Sequence, residues 1–191
     1  MISATPFTNQ NWTTGEFDEN GRPVLVEEAV DLALYAVVPG PTGAHNWHPM
    51  AFNPDTGLVY IPVNEIPFFY DKTRNVEDGK SYWNIGYDAA AGWPVEYPAG
   101  TLDAVADLDG GSLLAWDPVN AEPRWAVPFA LPLNGGVLST DAGLVFQGNK
   151  FGDLVAYDAE TGEQLWSHRL VGNAAAAPMT YEIEGEQYLS V

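Results

Sequence analysis

Apolar and polar residues alternate with a period of two through much of the second half of the chain. HPMAFNPDTGLVYIP, from His48 to Pro62, reads as two strands around a turn at Asn53-Pro54-Asp55-Thr56-Gly57. GGVLSTDAGLVFQGN, from Gly135 to Asn149, repeats the plan with a turn at Asp141-Ala142-Gly143. PMTYEIEGEQYLSV, from Pro178 to Val191, does so again around Glu184-Gly185. Such alternation puts one face of each strand in a core and the other toward solvent, which predicts half-buried antiparallel strands. The fold class is therefore expected to be all-β. VEEAVDLALYAVV, from Val26 to Val38, also fits a short helix.

Between these pairs lies a repeat. Ala115, Asp117, Ala121 and Trp125 recur as Ala156, Asp158, Gly162 and Trp166, each 41 residues later. The period is in the range of one four-stranded propeller blade. The physics of the unit is direct. The Asp opens a turn by accepting backbone N–H bonds. The Gly takes a backbone angle that other residues resist. The Trp buries a large area between neighbouring sheets. Trp125 and Trp166 are thus read as structural.

Pairing the strands in order predicts a partial β-propeller of about two to three four-stranded antiparallel blades. Residues 48–63 plus 111–129 form a first blade, interrupted by a long loop over 64–109. Residues 136–170 form a second, and 175–191 begin a third. Residues 1–42 are an irregular, Pro/Gly-rich leading segment with weak strand signals around Val24–Val26. A propeller closes as a ring of about four or more blades, so the chain reads as a piece of a longer protein.

Composition narrows the partners. The chain has 191 residues, enough for a real core, and is 46% hydrophobic with seven Trp. Its net charge of −19 argues against nucleic acid, which needs a positive surface, and against anionic membranes. The absence of Cys excludes disulfides, Cys-ligated zinc and thiol catalysis within the chain. No run of about 18 apolar residues predicts a membrane span, and MISATPFTNQ lacks the basic start and apolar run of a signal peptide.

The stretch with the densest chemistry is GAHNWHPMAFNP, from Gly43 to Pro54. His45, Asn46, Trp47 and His48 stand together at the mouth of a strand. A metal site, a pocket for a flat ligand and plain core packing are the alternatives. On a strand, His45 and His48 would point to opposite faces, and no third ligand is apparent, so a metal site is disfavoured. Asp107-Leu108-Asp109-Gly110 begins like a calcium loop but lacks the later acidic ligands, and reads as a turn. Asn134-Gly135-Gly136 is a hairpin-turn signature.

AHNWHPMAFNPDTGLVYIP, SLLAWDP with Trp125, NGGVLSTDAGLVFQGN, LVAYDAETGEQLW and AAAPMTYEIEGEQYLSV together resemble the quinoprotein alcohol dehydrogenases, nearest their quinohaemoprotein branch. NWTTGEFDENGRP and YWNIG fit as well, so the resemblance spans nearly the whole chain. It implies an eight-bladed propeller that carries pyrroloquinoline quinone and oxidises alcohols to carbonyl compounds. It also implies a small-molecule alcohol substrate, an electron acceptor such as cytochrome c or a haem domain, and a periplasmic location. Carried over residue by residue, it makes Asn46 and Trp47 contacts of the quinone and brings Asn134 to the cofactor mouth. The Ala174–Ala177 run is expected near the propeller axis, where small residues let strands crowd.

The family's calcium ligands, its aspartate base and its vicinal cysteine pair have no counterpart here, and no CxxCH haem motif is present. No catalytic and no metal-binding residue is therefore assigned. Calcium is expected to be held by ligands outside this chain, and the isolated chain is not expected to oxidise alcohols. The alternative function is a non-catalytic scaffold or binding protein built from the same propeller repeat.

Overall fold

The computed structural model describes residues 4–27, 35–70 and 110–191. The first strands are β1 (Thr13–Phe17), β2 (Pro23–Leu25), β3 (Tyr35–Val37), β4 (Ala51–Asn53), β5 (Leu58–Asn64), β6 (Phe68–Tyr70) and β7 (Gly111–Asp117). They are followed by β8 (Glu122–Phe129), β9 (Val137–Ser139), β10 (Leu144–Gly148), β11 (Asp153–Asp158), β12 (Gln164–Arg169), β13 (Met179–Ile183) and β14 (Glu186–Ser190). The fold is all-β, a partial propeller. Two four-stranded antiparallel sheets, ordered β4-β5-β7-β8 and β9-β10-β11-β12, are successive blades, and β13 and β14 form a separate hairpin.

The chain divides into two units. One comprises residues 45–64 and 109–191 and contains the blades and the β13–β14 hairpin. Its turns are built as the sequence pattern requires. Asn53 Oδ1 accepts the N–H groups of Asp55 and Thr56 at 2.9 and 3.3 Å. Asp117 Oδ1 accepts those of Val119 and Asn120 at 2.9 and 3.0 Å. Asp158 Oδ1 accepts those of Glu160 and Thr161 at 3.0 and 2.9 Å. Ala121 occupies the glycine position of its repeat with φ at 55°, in the left-handed region that side chains resist.

The core runs between the two blades. Leu58, Tyr60, Leu113 and Ala115 of the first pack with Val137, Val145, Val155, Tyr157 and Ala159 of the second. Trp125 is the wedge at its margin. Its indole N–H donates to the Ala159 carbonyl at 3.1 Å, which also accepts the Tyr60 hydroxyl at 2.9 Å. A Cβ on Gly162 would lie 2.7 Å from the indole. Gly162 therefore meets two demands, a φ of 74° and room for Trp125. Trp166, its counterpart one repeat later, is 46% exposed.

The other unit comprises residues 1–44 and 65–108, and it carries more regular structure than the sequence pattern suggested. β1 and β2 pair as a hairpin. Asp18 Oδ1 closes its turn by accepting the Asn20 and Arg22 N–H groups, both at 2.8 Å. These strands are mostly exposed, so they lack the alternating apolar residues that betray a half-buried strand. Where a helix was expected over Val26–Val38, Tyr35–Val37 instead form β3, which pairs with β6. That pairing also draws Phe68–Tyr70 out of the expected 64–109 loop and into a sheet. Residues 28–34 and 71–109, including YWNIG and the Asp107–Asp109 turn, lie outside the described residues.

Candidate functional site

An antiparallel four-stranded meander has two unlike ends. The turns between its first and second strands, and between its third and fourth, lie at one end. The approach to the first strand, the connection from second to third and the exit from the fourth lie at the other. In the blade unit this places residues 45–50, 130–136, 149–152 and 170–178 at a common end, opposite the Asx turns. Asn46, Trp47 and Asn134, far apart in sequence, all stand there.

Residues 45–48 form a bend ahead of β4 and are not part of a strand. The two histidines are separated by the loop's own path. His45 Nδ1 bonds to the Pro62 carbonyl at 3.1 Å. His48 turns inward and is 3% exposed, with Nδ1 unpartnered among the described residues. Between them Asn46 Oδ1 accepts the Trp47 N–H at 2.8 Å, which clips the backbone of the bend. Trp47 is 67% exposed, so it is not a core residue. Its indole lies on the His48 imidazole, with ring centroids 4.0 Å apart and planes inclined by 25°. The result is a flat aromatic surface with a buried ring behind it and an open indole in front. Among the described residues no group of three or more His, Asp or Glu comes together to hold a metal.

Asn134 is buried and fully engaged with backbone. Its Nδ2 donates to the Leu131 carbonyl at 2.7 Å, and its Oδ1 accepts the Lys150 N–H at 3.1 Å. Its side chain ties the β8–β9 loop to the β10–β11 turn. The glycines after it are demanded by crowding. A Cβ on Gly136 would lie 2.6 Å from Pro49 Cδ, and one on Gly135 or Gly148 would collide with Ala174. The small residues at 174–177 are what allow these segments to approach.

Three buried polar atoms without a hydrogen-bond partner among the described residues border the same loop. Gln147 Nε2 donates to the Gly135 carbonyl at 2.8 Å while Oε1 is unpartnered. Asn64 Oδ1 accepts the Leu133 N–H at 2.7 Å while Nδ2 is unpartnered. His48 Nδ1 is the third; the next residue, Pro49, accepts the Val137 N–H at 2.9 Å. Buried polar atoms almost always have partners, so such a concentration suits a place where a polar ligand or ordered water completes the set. Sequence reading named His48 only as a disfavoured metal ligand and did not single out Asn64, Gln147 or Lys150. The signal that finds them is topological: each sits at or next to a strand end on the side that holds Trp47.

Charge is unevenly divided between the two ends. Asp55, Asp117, Asp141, Asp158, Glu160 and Glu184 lie at the turn end. At the loop end, among the described residues of this unit, Asp153 is the acid, and Arg169 neutralises it at 2.9 Å. Lys150 forms no ion pair among the described residues. Burial chiefly, then the charges of His45 and Lys150, push the His48 pKa below its usual value, which keeps the imidazole neutral near pH 7.

Comparison with known proteins identifies the family and the fold. Residues 8–189 match the PQQ family described as glucose/ethanol/alcohol dehydrogenase, beta-propeller domain. The quinohemoprotein alcohol dehydrogenase of Comamonas testosteroni is 42% identical over 197 residues, covering 100% of this chain and 27% of its own length. The 1-butanol dehydrogenase (cytochrome c) of Thauera butanivorans is 37% identical, again over 100% of this chain and 27% of its own length. The solved structure of quinohemoprotein alcohol dehydrogenase ADHIIG from Pseudomonas putida superposes with a TM-score of 0.81 at 36% identity, over 98% of this chain and 28% of that one. The chain thus spans about a quarter of the length of the curated relatives it matches.

Proposed function

The chain belongs to the glucose/ethanol/alcohol dehydrogenase β-propeller family of PQQ proteins, and from that we propose that it forms one wall of the quinone site in an enzyme that oxidises alcohols to carbonyl compounds. The observation that carries the reading is Trp47, an exposed indole backed by a buried ring at the end of the blades where the connecting loops gather. Pyrroloquinoline quinone is flat and bears carbonyls and carboxylates. An indole face suits its ring system, and amide donors suit its oxygens. The unpartnered buried atoms of Asn64 and Gln147 fit a polar ligand nearby. When bound, the quinone supplies the acceptor for the hydride that leaves the alcohol carbon.

In this reading Trp47 offers its outer face to the quinone. Asn46 holds the bend in place and presents its amide beside the indole. Asn134 acts by fixing the Asn-Gly-Gly loop against the β10–β11 turn, because both ends of its side chain are held by backbone groups. The proton-abstracting base and the calcium ligands belong to segments outside this chain. The electron acceptor is a cytochrome c or a haem domain, and the enzyme works in the periplasm. Among the described residues no helix is long and apolar enough to cross a membrane. A scaffold built of the same repeat would have no use for an open, backed indole.

Trp47→Ala in the whole enzyme that contains this segment tests the proposal. We expect quinone affinity to fall by about tenfold or more, since tenfold corresponds to about 1.4 kcal/mol of lost binding. The melting temperature of the cofactor-free protein should barely move. A large loss of stability with unchanged affinity would make Trp47 a structural residue.

A further inference from the structure

Leu133 stands in a backbone conformation that its own side chain resists. Its φ is 57°, in the left-handed region where a bulky residue is an outlier. Among the described residues Ala121 and Glu184 share the sign, and each lies in the tight turn of a hairpin, β7–β8 or β13–β14. Leu133 lies in the β8–β9 connection, where no hairpin turn between paired strands calls for it. Such a conformation persists only where the surroundings over-determine it. Asn64, at the end of β5, accepts the Leu133 N–H on Oδ1 at 2.7 Å, while its Nδ2 has no partner among the described residues. On either side of Leu133, Asn134 Nδ2 donates to the Leu131 carbonyl at 2.7 Å and Gln147 Nε2 donates to the Gly135 carbonyl at 2.8 Å.

The loop held in this way leads to the indole. Gly136 packs so closely on Pro49 that a Cβ would lie 2.6 Å from Pro49 Cδ, and the Val137 N–H donates to the Pro49 carbonyl at 2.9 Å. Pro49 directly follows the bend in which Trp47 lies on His48. The end of β5 grips that bend from its other side as well, through the Pro62 carbonyl and His45 Nδ1 at 3.1 Å. Residues 62–64 thus anchor both segments. We propose that Asn64 is a positioning residue for the quinone site. By pinning Leu133 in the left-handed conformation, it holds residues 131–136 as the buttress against which the Trp47 bend is set. The inference rests on the quinone reading above and adds to it a residue that acts through Leu133.

The test uses the cofactor-free form of the whole enzyme that contains this segment. It is titrated with pyrroloquinoline quinone well below its melting temperature, which is measured alongside. Asn64→Ala should raise Kd about tenfold, the scale of one lost hydrogen bond. Leu133→Gly should leave Kd within about twofold, since glycine takes positive φ without strain. In the Leu133→Gly background, Asn64→Ala should raise Kd only about threefold, because the loop no longer has to be forced, whereas a side chain acting on the quinone directly would cost the same in both backgrounds. Leu133→Val keeps Asn64 in place and should also raise Kd several-fold, because a β-branched residue tolerates positive φ least. It decides the question even if Asn64→Ala fails to fold. An Asn64→Ala enzyme that melts lower but binds quinone like the wild type would make Asn64 a structural residue only. Equal losses in both backgrounds, or unchanged affinity with Leu133→Val, would likewise overturn its role. Trp47→Ala, run in parallel, separates the two readings. If it weakens binding while the Asn64 and Leu133 variants do not, only the role of Asn64 falls; if it too binds like the wild type, the quinone reading falls with it.

Discussion

A neutral histidine behind an exposed tryptophan makes the site sensitive to pH at the scale of a single residue. Burial first, then the charges of His45 and Lys150, lower the His48 pKa from its usual value of 6.5. The unfolded chain therefore takes up a proton at a higher pH than the folded one. By linkage, stability falls as pH drops through about 6.5, and the loss continues until the folded form itself is protonated. His48→Gln removes that contribution. Urea unfolding at several pH values between about 5 and 8 should show a steeper decline for the wild type than for His48→Gln. Parallel curves would mean that His48 is not held neutral by its surroundings. The resemblance, and not residue chemistry, pointed to Asn46 and Trp47; the exposure of Trp47 sets aside the core packing that its sequence left open. His48 stands in the same stretch, but its burial is made by the bend before β4, and no spacing rule encodes it.

The repeated Asp-to-Trp unit works at the scale of the element, and its two copies are in different surroundings. Trp125 touches Tyr60, bonds to the Ala159 carbonyl and leaves no room for a side chain at Gly162. Trp166 stacks on His168 and remains 46% exposed. Sequence offsets make the two look equivalent; only the packing separates them. Trp125→Ala should cost about 3 kcal/mol, the lower part of the range for removing a buried aromatic, because the indole is only partly buried. At about 2–4 °C per kcal/mol for a chain of this size, the midpoint should fall by roughly 6–12 °C. Trp166→Ala should cost about 1 kcal/mol or less, as an exposed side chain has little burial to lose. Thermal unfolding of the two variants side by side checks the asymmetry, and equal losses would contradict it. The blade strands were legible because turn residues with a single, recognisable chemistry bracket them. Asn53, Asp117 and Asp158 accept N–H bonds, and Gly57 and Gly162 take positive φ. β1, β2, β3 and β6 were not. β1 is too polar to show a period, β2 gave only the weak signal around Val24–Val26 because its three apolar residues are exposed, and the β3–β6 pairing joins segments that no local pattern links.

At the scale of the whole molecule, two long-range tendencies oppose each other. Leu165, Trp166, Met179, Tyr181 and Ile183 are all exposed. Beside β12 an apolar trough of about 400 Å3 is lined by Leu144, Phe146, Ala156, Leu165, Trp166 and Leu189. The β13–β14 sheet has only two strands among the described residues, which leaves N–H and C=O groups on its edges available to another chain. Apolar patches of a few hundred Å2 act in the same direction. The net charge of −19 acts against them. Its repulsion reaches far at low ionic strength but is screened within about 8 Å at physiological salt. Contact forces between apolar side chains and between strand edges operate at shorter range than that and are not screened in the same way. Salt should therefore tip the balance, with the isolated chain monomeric in dilute buffer and increasingly associated as salt rises. Light scattering over a salt series measures the first half of this expectation. Near-UV circular dichroism of the wild type and Trp166→Ala measures the second, since a tryptophan signal that strengthens with association only when Trp166 is present would place that side chain in the contact. A chain that stays monomeric and melts sharply at every salt concentration would show that the exposed apolar strands are tolerated without a partner.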